Sequence, residues 1–121
     1  MTHRILVVED QEDNRRILRD LLSSAGFDLV EAVNGEEGVR MAVLHRPNLI
    51  LMDVQLPLLD GYEATRRIKA NADLRHIPII VVTSYALSED EAKARAAGAD
   101  AYVAKPFSPR QLLAKVRELL T

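Results

Sequence analysis

The chain has no cysteine and no tryptophan, and aromatic residues make up only 4% of its 121 residues. The absence of cysteine excludes disulfide bonds and thiolate metal sites, and it suits a reducing cytoplasm. With so few aromatic residues, the core must be built from Leu, Ile, Val and Ala. Neither sign of charge dominates, since 16 basic and 18 acidic residues leave a formal net charge of -2. The composition therefore gives no electrostatic reason to expect binding to nucleic acid or to an anionic membrane.

Long hydrophobic segments are also missing. No apolar run approaches the roughly 18 residues that a membrane span requires. Residues 1–4 lead directly into a strand and do not resemble a secretion signal. A chain of 121 residues is long enough for one domain that buries roughly two-thirds of its unfolded surface. We therefore expect a single cytoplasmic domain over residues 1–121, whose function depends on a local site.

The most informative stretch is the run of four apolar residues at positions 49–52, which leads directly into Asp53. A run without polar alternation predicts a strand that is buried on both faces, as in the centre of a parallel sheet. Pro57 and the pair Asp60-Gly61 follow closely, so the strand must end near Asp53. In open α/β sheets, ligands bind at the carboxyl ends of strands. Asp53 therefore either lies at a ligand site or simply begins a loop.

The rest of the chain alternates between strand-like and helix-like segments, without a linker or repeat. Runs rich in apolar and β-branched residues predict strands at residues 4–8, 27–33, 48–53, 79–82 and 100–104. Helical spacing and capping residues predict helices at about residues 11–25, 35–46, 62–70, 89–97 and 109–120. The second strand is the weakest and is expected at or near the edge of the sheet. Five strands alternating with five helices indicate an α/β fold with a parallel sheet covered on both faces.

Apolar spacing and capping patterns add detail to the helices. Two helices have apolar residues that should face the sheet, namely Ile17, Leu18, Leu21, Leu22 and Ala25 in the first and Val39, Ala42 and Val43 in the second. Capping-box patterns occur at three helix starts, which are Asn34 with Glu37, Ser88 with Glu91 and Ser108 with Gln111. These patterns fix where the helices begin and which way they face.

Polar side chains stand at the ends of four predicted strands. The first strand is followed by Glu9 and Asp10, the third ends at Asp53, the fourth at Thr83, and the fifth at Lys105. The second strand contributes nothing comparable, which fits a sheet whose first strand lies between the second and the third. Because parallel strands present their carboxyl ends at the same edge of a sheet, three carboxylates should converge there, with an ammonium and a hydroxyl nearby.

Convergent carboxylates select a hard cation. The site has oxygen ligands and no sulfur, which favours Mg²⁺ or a similar ion. Lys105 can pair with a carboxylate or with a phosphoryl oxygen, and Thr83 can hydrogen-bond the same group. The set is typical of phosphoryl transfer onto an aspartate nucleophile. Taken singly, the same residues have simpler interpretations, since Glu9 and Asp10 can cap a helix and Lys105 can be a solvated loop residue.

Seven motifs together resemble the receiver domain of two-component response regulators. They are Val7-Val8-Glu9-Asp10, Leu51-Met52-Asp53, Leu56-Pro57, Asp60-Gly61-Tyr62-Glu63, Val82-Thr83-Ser84, Gly98-Ala99 and Lys105-Pro106-Phe107. The resemblance covers the whole chain, residues 1–121, in register. It implies a doubly wound (βα)5 fold with a five-stranded parallel sheet of flavodoxin-like strand order 2-1-3-4-5.

The resemblance assigns the metal ligands and the phosphoacceptor. Asp53 would accept the phosphoryl group. Mg²⁺ would be held by Glu9, Asp10 and Asp53, together with the backbone carbonyl of Gln55. Glu9 departs from the commonest pattern, because Asp is frequent at its position and the longer side chain gives this ligand a longer reach.

The resemblance also assigns residues that respond to phosphorylation. Thr83 and Lys105 would bind the phosphoryl group, and Tyr102 would be the aromatic residue that moves with Thr83. The bond between Lys105 and Pro106 would be cis. Ser84 replaces a frequent Ala and would crowd the phosphoryl site slightly. Gln55 and Tyr85 occupy positions at which the family tunes its rate of hydrolysis.

The implied function is a phosphorylation-activated signalling switch. A histidine kinase or a histidine phosphotransfer protein would supply the phosphoryl group. The signal would pass to a downstream protein through the face formed by the fourth helix, fifth strand and fifth helix, in a monomer or a phosphorylation-dependent dimer. The domain would catalyse its own phosphorylation and dephosphorylation without being a conventional turnover enzyme. An alternative is a receiver domain excised from a hybrid histidine kinase or a larger response regulator.

Two rival functions are disfavoured by particular residues. An aspartate-nucleophile hydrolase of the haloacid dehalogenase type requires a second Asp two residues after the nucleophile, and this chain has Gln55 there. A flavodoxin-like carrier of FMN requires a first loop that binds phosphate. Residues 9–13 contain four acidic side chains, which would repel a phosphate group.

Overall fold

The computed structural model describes residues 2–83 and 88–120. In chain order, its elements are β1 (Arg4–Val8), α1 (Glu12–Ser24), β2 (Asp28–Ala32), α2 (Gly35–His45), β3 (Leu49–Asp53), α3 (Gly61–Ala70), β4 (Ile79–Thr83), α4 (Ser88–Ala96), β5 (Ala101–Ala104) and α5 (Pro109–Leu120). The alternation of strands and helices predicted from the sequence is confirmed. Among the helices in these ranges, none combines the length and the apolarity needed to cross a membrane.

The five strands form one parallel sheet in the order β2-β1-β3-β4-β5. This is the doubly wound (βα)5 arrangement with the predicted strand order. Leu6 of β1 is paired with Val30 of β2 on one side and with Ile50 of β3 on the other, so β1 and β3 are neighbours. The weak second strand lies at an edge, as predicted. The topology brings the carboxyl ends of β1 and β3 together.

Alternation along the strands divides the core into two layers. On one face, side chains such as Leu6, Ile50 and Ile79 pack with residues of α2, α3 and α4, including Ala42, Ala64, Ile68 and Ala94. On the other face, Ile5, Leu49 and Ile80 pack with residues of α1 and α5, including Leu18, Leu22, Leu112 and Val116. The central strands carry uninterrupted apolar runs, at residues 5–8, 49–52 and 79–82, because both of their faces are covered.

Caps define several helix ends. The backbone N–H of Glu37 donates to Oδ1 of Asn34 at 2.7 Å, and the N–H of Val33 donates to Oε1 of Glu37 at 3.0 Å. The N–H of Gln111 donates to Oγ of Ser108 at 3.4 Å. These contacts confirm two of the predicted caps. The third predicted cap depends on the side chain of Ser88, of which the structure gives no description.

Two residues predicted to face the sheet do not. Ile17 is 58% exposed and Val43 is 49% exposed, whereas their neighbours Leu18 and Ala42 are buried. Each adjacent pair is separated by about 100° around its helix axis. Both helices are therefore rotated so that one member of the pair is central in the contact with the sheet and the other lies outside it. The exposed Ile17 instead borders a groove beside the site described below.

Candidate functional site

Three carboxylates converge at the carboxyl edge of the sheet. Asp53 is the last residue of β3, and Glu9 and Asp10 directly follow the neighbouring strand β1. One oxygen from each of the three side chains lies within 4.8 Å of the others. The short separation follows from the strand order, since β1 and β3 are adjacent and end at the same level of the sheet.

Glu9 is buried, with 2% of its surface exposed, and both of its carboxylate oxygens are bound. Oε2 accepts from the backbone N–H of Gln11 at 3.1 Å, and Oε1 lies 3.1 Å from Nζ of Lys105. Burial alone would raise the pKa of Glu9, but the Gln11 N–H and the charge of Lys105 together hold it below its ordinary value. Glu9 is therefore ionised in the folded protein at neutral pH.

Asp53 is also buried, but its environment acts in the opposite direction. Burial and the charge of Glu9 raise the pKa of Asp53 to about 6, although Lys105 and the backbone N–H of Gln55 lower it. Lys105 lies 3.6 Å from Oδ2 of Asp53, which is farther than its 3.1 Å separation from Glu9. One ammonium is therefore shared between two buried acids, and Glu9 has the closer contact.

Asp10 is half-buried and accepts a hydrogen bond from Nε2 of Gln11 at 3.3 Å. The residue in the N-cap position of α1 is Gln11, and its side chain makes no capping hydrogen bond. Asp10 therefore does not serve as the N-cap of α1, which was the simpler interpretation of the Glu9-Asp10 pair. Its carboxylate is directed to the acidic cluster.

Thr83 and Lys105 stand at the ends of the adjacent strands β4 and β5. Thr83 is fully buried, and its carbonyl accepts the backbone N–H of Lys105 at 2.6 Å. The peptide bond between Lys105 and Pro106 is cis, as the resemblance implies. Gln55 is exposed in the loop that follows β3. Ser84 and Tyr85, which were expected to tune the site, lie outside the described residues.

Tyr102 lies on β5, where it is half-buried and packs against the core layer that includes α4. Burial, with a smaller contribution from Asp90 and Glu91 of α4, raises the pKa of Tyr102. Tyr102 precedes Lys105 by three residues and is paired in the sheet with Val81, two positions before Thr83. It therefore lies on an edge strand, on the face of the sheet that α4 covers.

One residue near the site was not identified from the sequence. Nη1 of Arg15 donates to the backbone carbonyl of Glu9 at 2.9 Å. No motif distinguishes Arg15 from the exposed Arg16 beside it. Only the direction of the Glu9 carbonyl at the end of β1 gives Arg15 its partner, and that direction is a property of the fold.

The donor set fits a magnesium ion. Three carboxylates that each offer one oxygen within a few ångströms suit a small, hard cation, which is usually held by one or two carboxylates with water and phosphate completing its shell. Burial and the charge of Glu9 keep the pKa of Asp53 raised although Lys105 is nearby, so a further cation beside these acids has an electrostatic reason to bind. Among the described residues, the cluster consists of carboxylates alone, without the sulfur or histidine ligands that favour a softer metal.

The fold and this site together define a receiver domain. The family model described as the response regulator receiver domain matches residues 5–117, and the chain belongs to that family. The polar-differentiation response regulator DivK of Brucella anthropi is 40% identical over 120 residues, which cover 99% of this chain and 98% of that protein.

Solved structures show the same fold. The receiver domain of a sensor histidine kinase of Pseudomonas aeruginosa, with a magnesium ion coordinated in its active site cleft, has a TM-score of 0.92 and is 38% identical, covering 99% of this chain and 98% of that one. The chemotaxis protein CheY4 of Vibrio cholerae has a TM-score of 0.93 and is 27% identical, covering 99% of this chain and all (100%) of that one. This chain is thus similar both to free-standing response regulators and to the receiver domain of a kinase.

Proposed function

We propose that the chain is a phosphorylation-activated signalling switch in which Asp53 accepts a phosphoryl group from a phosphohistidine. A histidine kinase or a histidine phosphotransfer protein is the donor. The observation that carries this proposal is the placement of Asp53, which ends a buried central strand within 4.8 Å of two further carboxylates. Lys105 supplies a positive charge 3.6 Å away. Membership of the receiver family supports the same function.

The chemical step is a direct displacement. A carboxylate oxygen of Asp53 attacks phosphorus, the P–N bond of the phosphohistidine breaks, and its electron pair returns to the imidazole. The product is an acyl phosphate on Asp53. In this proposal, Lys105 pairs with a phosphoryl oxygen once Asp53 is phosphorylated, and the hydroxyl of Thr83 donates a hydrogen bond to another phosphoryl oxygen. Dephosphorylation is the attack of water on the same phosphorus.

The metal ligands in this proposal are Glu9, Asp10 and Asp53, with the backbone carbonyl of Gln55. A magnesium ion there supplies charge neutralisation for the phosphoryl oxygens. Neighbouring residues of the protein position the carboxylates of this site. Glu9 is fixed by Gln11 and Lys105, so it presents a preset oxygen to the cation. Asp53 is left as the less closely paired acid, and a carboxylate that is not held in a tight ion pair is the better nucleophile.

A groove beside the site is suited to docking the donor. It has a volume of about 510 Å³ and lies between α1 and the loop after β5. Its apolar walls include Ile17, Leu18, Leu21, Pro106 and Phe107, whereas Glu9 and Lys105 form its polar end. A helical protein that covers the exposed Ile17 would hold its phosphohistidine next to Asp53. Because the groove borders the site, docking and phosphoryl transfer are coupled by proximity.

The output side of the switch is the face formed by α4, β5 and α5. Phosphorylation adds about two negative charges at neutral pH, which is enough to bias a bistable element. We propose that Thr83 moves toward the phosphoryl group and that Tyr102 follows it. Tyr102 lies near Asp90 and Glu91, so its movement changes the surface of α4. A downstream protein, or a second copy in a phosphorylation-dependent dimer, reads that surface.

A second candidate is the same chemistry within a larger kinase. The solved receiver domains at 36% and 38% identity both come from histidine kinases. In that setting Asp53 would take the phosphoryl group from the kinase and pass it on. Detection of this sequence in cells only as part of a larger polypeptide would favour this candidate, and detection at the size of this chain would favour the free-standing switch.

The proposal is tested by labelling with a small phosphodonor. Acetyl phosphate and Mg²⁺ should phosphorylate the wild-type protein, and removal of Mg²⁺ with a chelator should abolish the label. Lys105→Ala should retain the fold and react much more slowly, because the phosphoryl oxygens lose their fixed cation. Equal labelling with and without Mg²⁺ would contradict the metal-dependent mechanism.

A further inference from the structure

We infer that Arg15 is a positioning residue for the acidic site. Its guanidinium holds the backbone carbonyl of Glu9, and so sets the direction in which Glu9 and Asp10 present their carboxylates. The inference deepens the proposed function and rests on it. Arg15 would thereby affect metal binding through the backbone, because its guanidinium binds the carbonyl of Glu9 and not the carboxylates of the site.

The guanidinium is held in a fixed orientation. Nη1 donates to the Glu9 carbonyl at 2.9 Å, Nε lies 3.4 Å from Oε1 of Glu31, and Nη2 contacts the carboxylate of Glu12. The Arg15 side chain is only 13% exposed. Because two carboxylates fix the rigid fork, the remaining nitrogen reaches the carbonyl in a preset direction. Arg15 thereby ties α1 and β2 to the end of β1.

The Glu9 carbonyl controls more than Glu9. The peptide unit is planar, so the carbonyl of Glu9 and the N–H of Asp10 share one plane. The N–H of Glu9 is bound to the carbonyl of Ala32 at 3.0 Å, which fixes the other side of the residue. Fixing the carbonyl therefore sets the start of the turn that carries Asp10. The same turn directs the N–H of Gln11 to Oε2 of Glu9 at 3.1 Å.

The position of Glu9 makes this anchoring consequential. A Glu has one more rotatable bond than an Asp, so a shift of the main chain can displace its carboxylate over a longer distance. Its two carboxylate oxygens are held by Gln11, which lies in the turn, and by Lys105, which follows β5. A small rotation of the Glu9–Asp10 peptide would therefore move two metal ligands at once.

Arg19 provides a matched control. It lies one turn further along α1 and donates to both oxygens of Glu31 at 2.7 Å, and its Nη2 is 3.7 Å from Glu12. Arg19 thus shares both acidic partners of Arg15. Within residues 2–83 and 88–120, however, it has no hydrogen bond to Glu9. Replacing Arg19 removes the same type of ion pair without releasing the carbonyl.

The experiment compares four proteins, namely the wild type, Arg15→Gln, Arg15→Lys and Arg19→Gln. Calorimetric titration with Mg²⁺ gives the dissociation constant, and thermal unfolding in chelator gives the midpoint. Loss of a partner that orients a metal ligand typically weakens metal binding by about 10- to 100-fold. We expect Arg15→Gln to bind Mg²⁺ about tenfold more weakly or worse, and Arg19→Gln to stay within about twofold of the wild type. Arg15→Lys keeps the charge but lacks the fork, so it should lose most of the affinity.

A second measurement does not require metal. Amide chemical shifts of Glu9, Asp10 and Gln11 in metal-free protein should change in both Arg15 variants and remain unchanged in Arg19→Gln. Arg15→Lys also keeps the inference testable if Arg15→Gln does not fold.

Three results would overturn the inference. They are unchanged Mg²⁺ affinity in Arg15→Gln, an equal loss in Arg19→Gln, and full affinity in Arg15→Lys, which would show that charge alone is sufficient. The proposed function would fail in a different way, since a wild-type protein that binds no Mg²⁺ would contradict it directly.

Discussion

The ammonium nitrogen of Lys105 lies 3.1 Å from Oε1 of Glu9, a residue 96 positions earlier in the chain. This pairing leaves the second buried acid, Asp53, with a longer contact of 3.6 Å to the same nitrogen. The two acids also have pKa values shifted in opposite directions, because burial and the charge of Glu9 raise the pKa of Asp53 to about 6, whereas the backbone N–H of Gln11 and the charge of Lys105 lower that of Glu9. The site is therefore arranged for binding a cation at some cost to the stability of the metal-free fold.

Asp53→Asn should stabilise the metal-free protein. The pKa of Asp53 in the folded protein, about 6, exceeds its ordinary value of 3.8. Its favourable contribution is therefore complete below about pH 4 and is lost as the pH rises through about 6. The difference between these two pKa values corresponds to about 3 kcal/mol, and this net figure already includes the opposing effect of Lys105. We expect a gain of about 1–3 kcal/mol in the free energy of unfolding near pH 7.5, measured by urea denaturation in chelator.

The pH dependence provides the check on this prediction. The advantage of Asp53→Asn over the wild type should shrink steadily as the pH falls from about 7.5 to about 4.5, because Asp53 takes up its proton in that window. A difference in stability that does not vary with pH would show that the pKa of Asp53 is not raised in the folded protein.

Asp10→Asn should separate the role of metal ligand from that of a structural acid. Removing one of three close charges should stabilise the metal-free protein by about 0.5–2 kcal/mol, a rise of several degrees in the thermal midpoint. Mg²⁺ at a hundred times its dissociation constant should stabilise the wild type by about 2.7 kcal/mol, and Asp10→Asn should lose most of that gain. Melts of both proteins with Mg²⁺ and with chelator test this. A variant that is less stable in chelator and keeps the full Mg²⁺ gain would exclude Asp10 as a ligand.

Removing the hydroxyl of Thr65 in α3 should stabilise the folded protein. The side chain is fully buried, and its Oγ1 is the single buried side-chain nitrogen or oxygen atom without a hydrogen-bond partner in the described part of the chain. An unsatisfied buried hydroxyl costs about 1–3 kcal/mol. Thr65→Val keeps the shape and should raise the free energy of unfolding by about 0.5–2 kcal/mol, measured by urea denaturation.

Thr65→Ser is the matched control for this change. It keeps the hydroxyl and removes a buried methyl group, so it should be less stable than the wild type by about 1 kcal/mol. If Thr65→Val were the destabilised variant instead, the hydroxyl would have a partner in solution.

Thr83→Ala tests how phosphorylation reaches the surface. The variant should still accept a phosphoryl group on Asp53, because the nucleophile and the acidic cluster are intact. It should lose most of the response at Tyr102, since no hydroxyl draws the end of β4 toward the phosphoryl group. Chemical-shift changes of Tyr102 on phosphorylation give the measurement. Equal changes in the wild type and in Thr83→Ala would refute the coupling between these two residues.

The sequence predicted the fold closely where burial leaves a clear pattern. The uninterrupted apolar runs of β1, β3 and β4 identified central strands, and the residues that directly follow the runs of β1 and β3 are Glu9, Asp10 and Asp53. Helix orientation was less accurate, because Ile17 and Val43 each stand beside a buried residue and apolar spacing alone cannot exclude them from the contact.

The remaining features depend on geometry that no local pattern records. The role of Arg15 follows from the direction of one backbone carbonyl. The unequal sharing of Lys105 between Glu9 and Asp53 depends on a difference of half an ångström. The first arises only when α1 and β2 have packed against the end of β1, and the second only when β1, β3 and β5 have assembled into one sheet.

The most direct test of the proposed function is to locate the phosphoryl group. The protein is phosphorylated with a purified histidine kinase or with acetyl phosphate, and the acyl phosphate is reduced with tritiated borohydride, which converts a phosphorylated aspartate into homoserine. Peptide mapping should place all of the tritium at Asp53, and Asp53→Asn should remain unlabelled. Tritium at another residue of the wild type, or undiminished labelling of Asp53→Asn, would contradict the assignment of Asp53 as the phosphoacceptor.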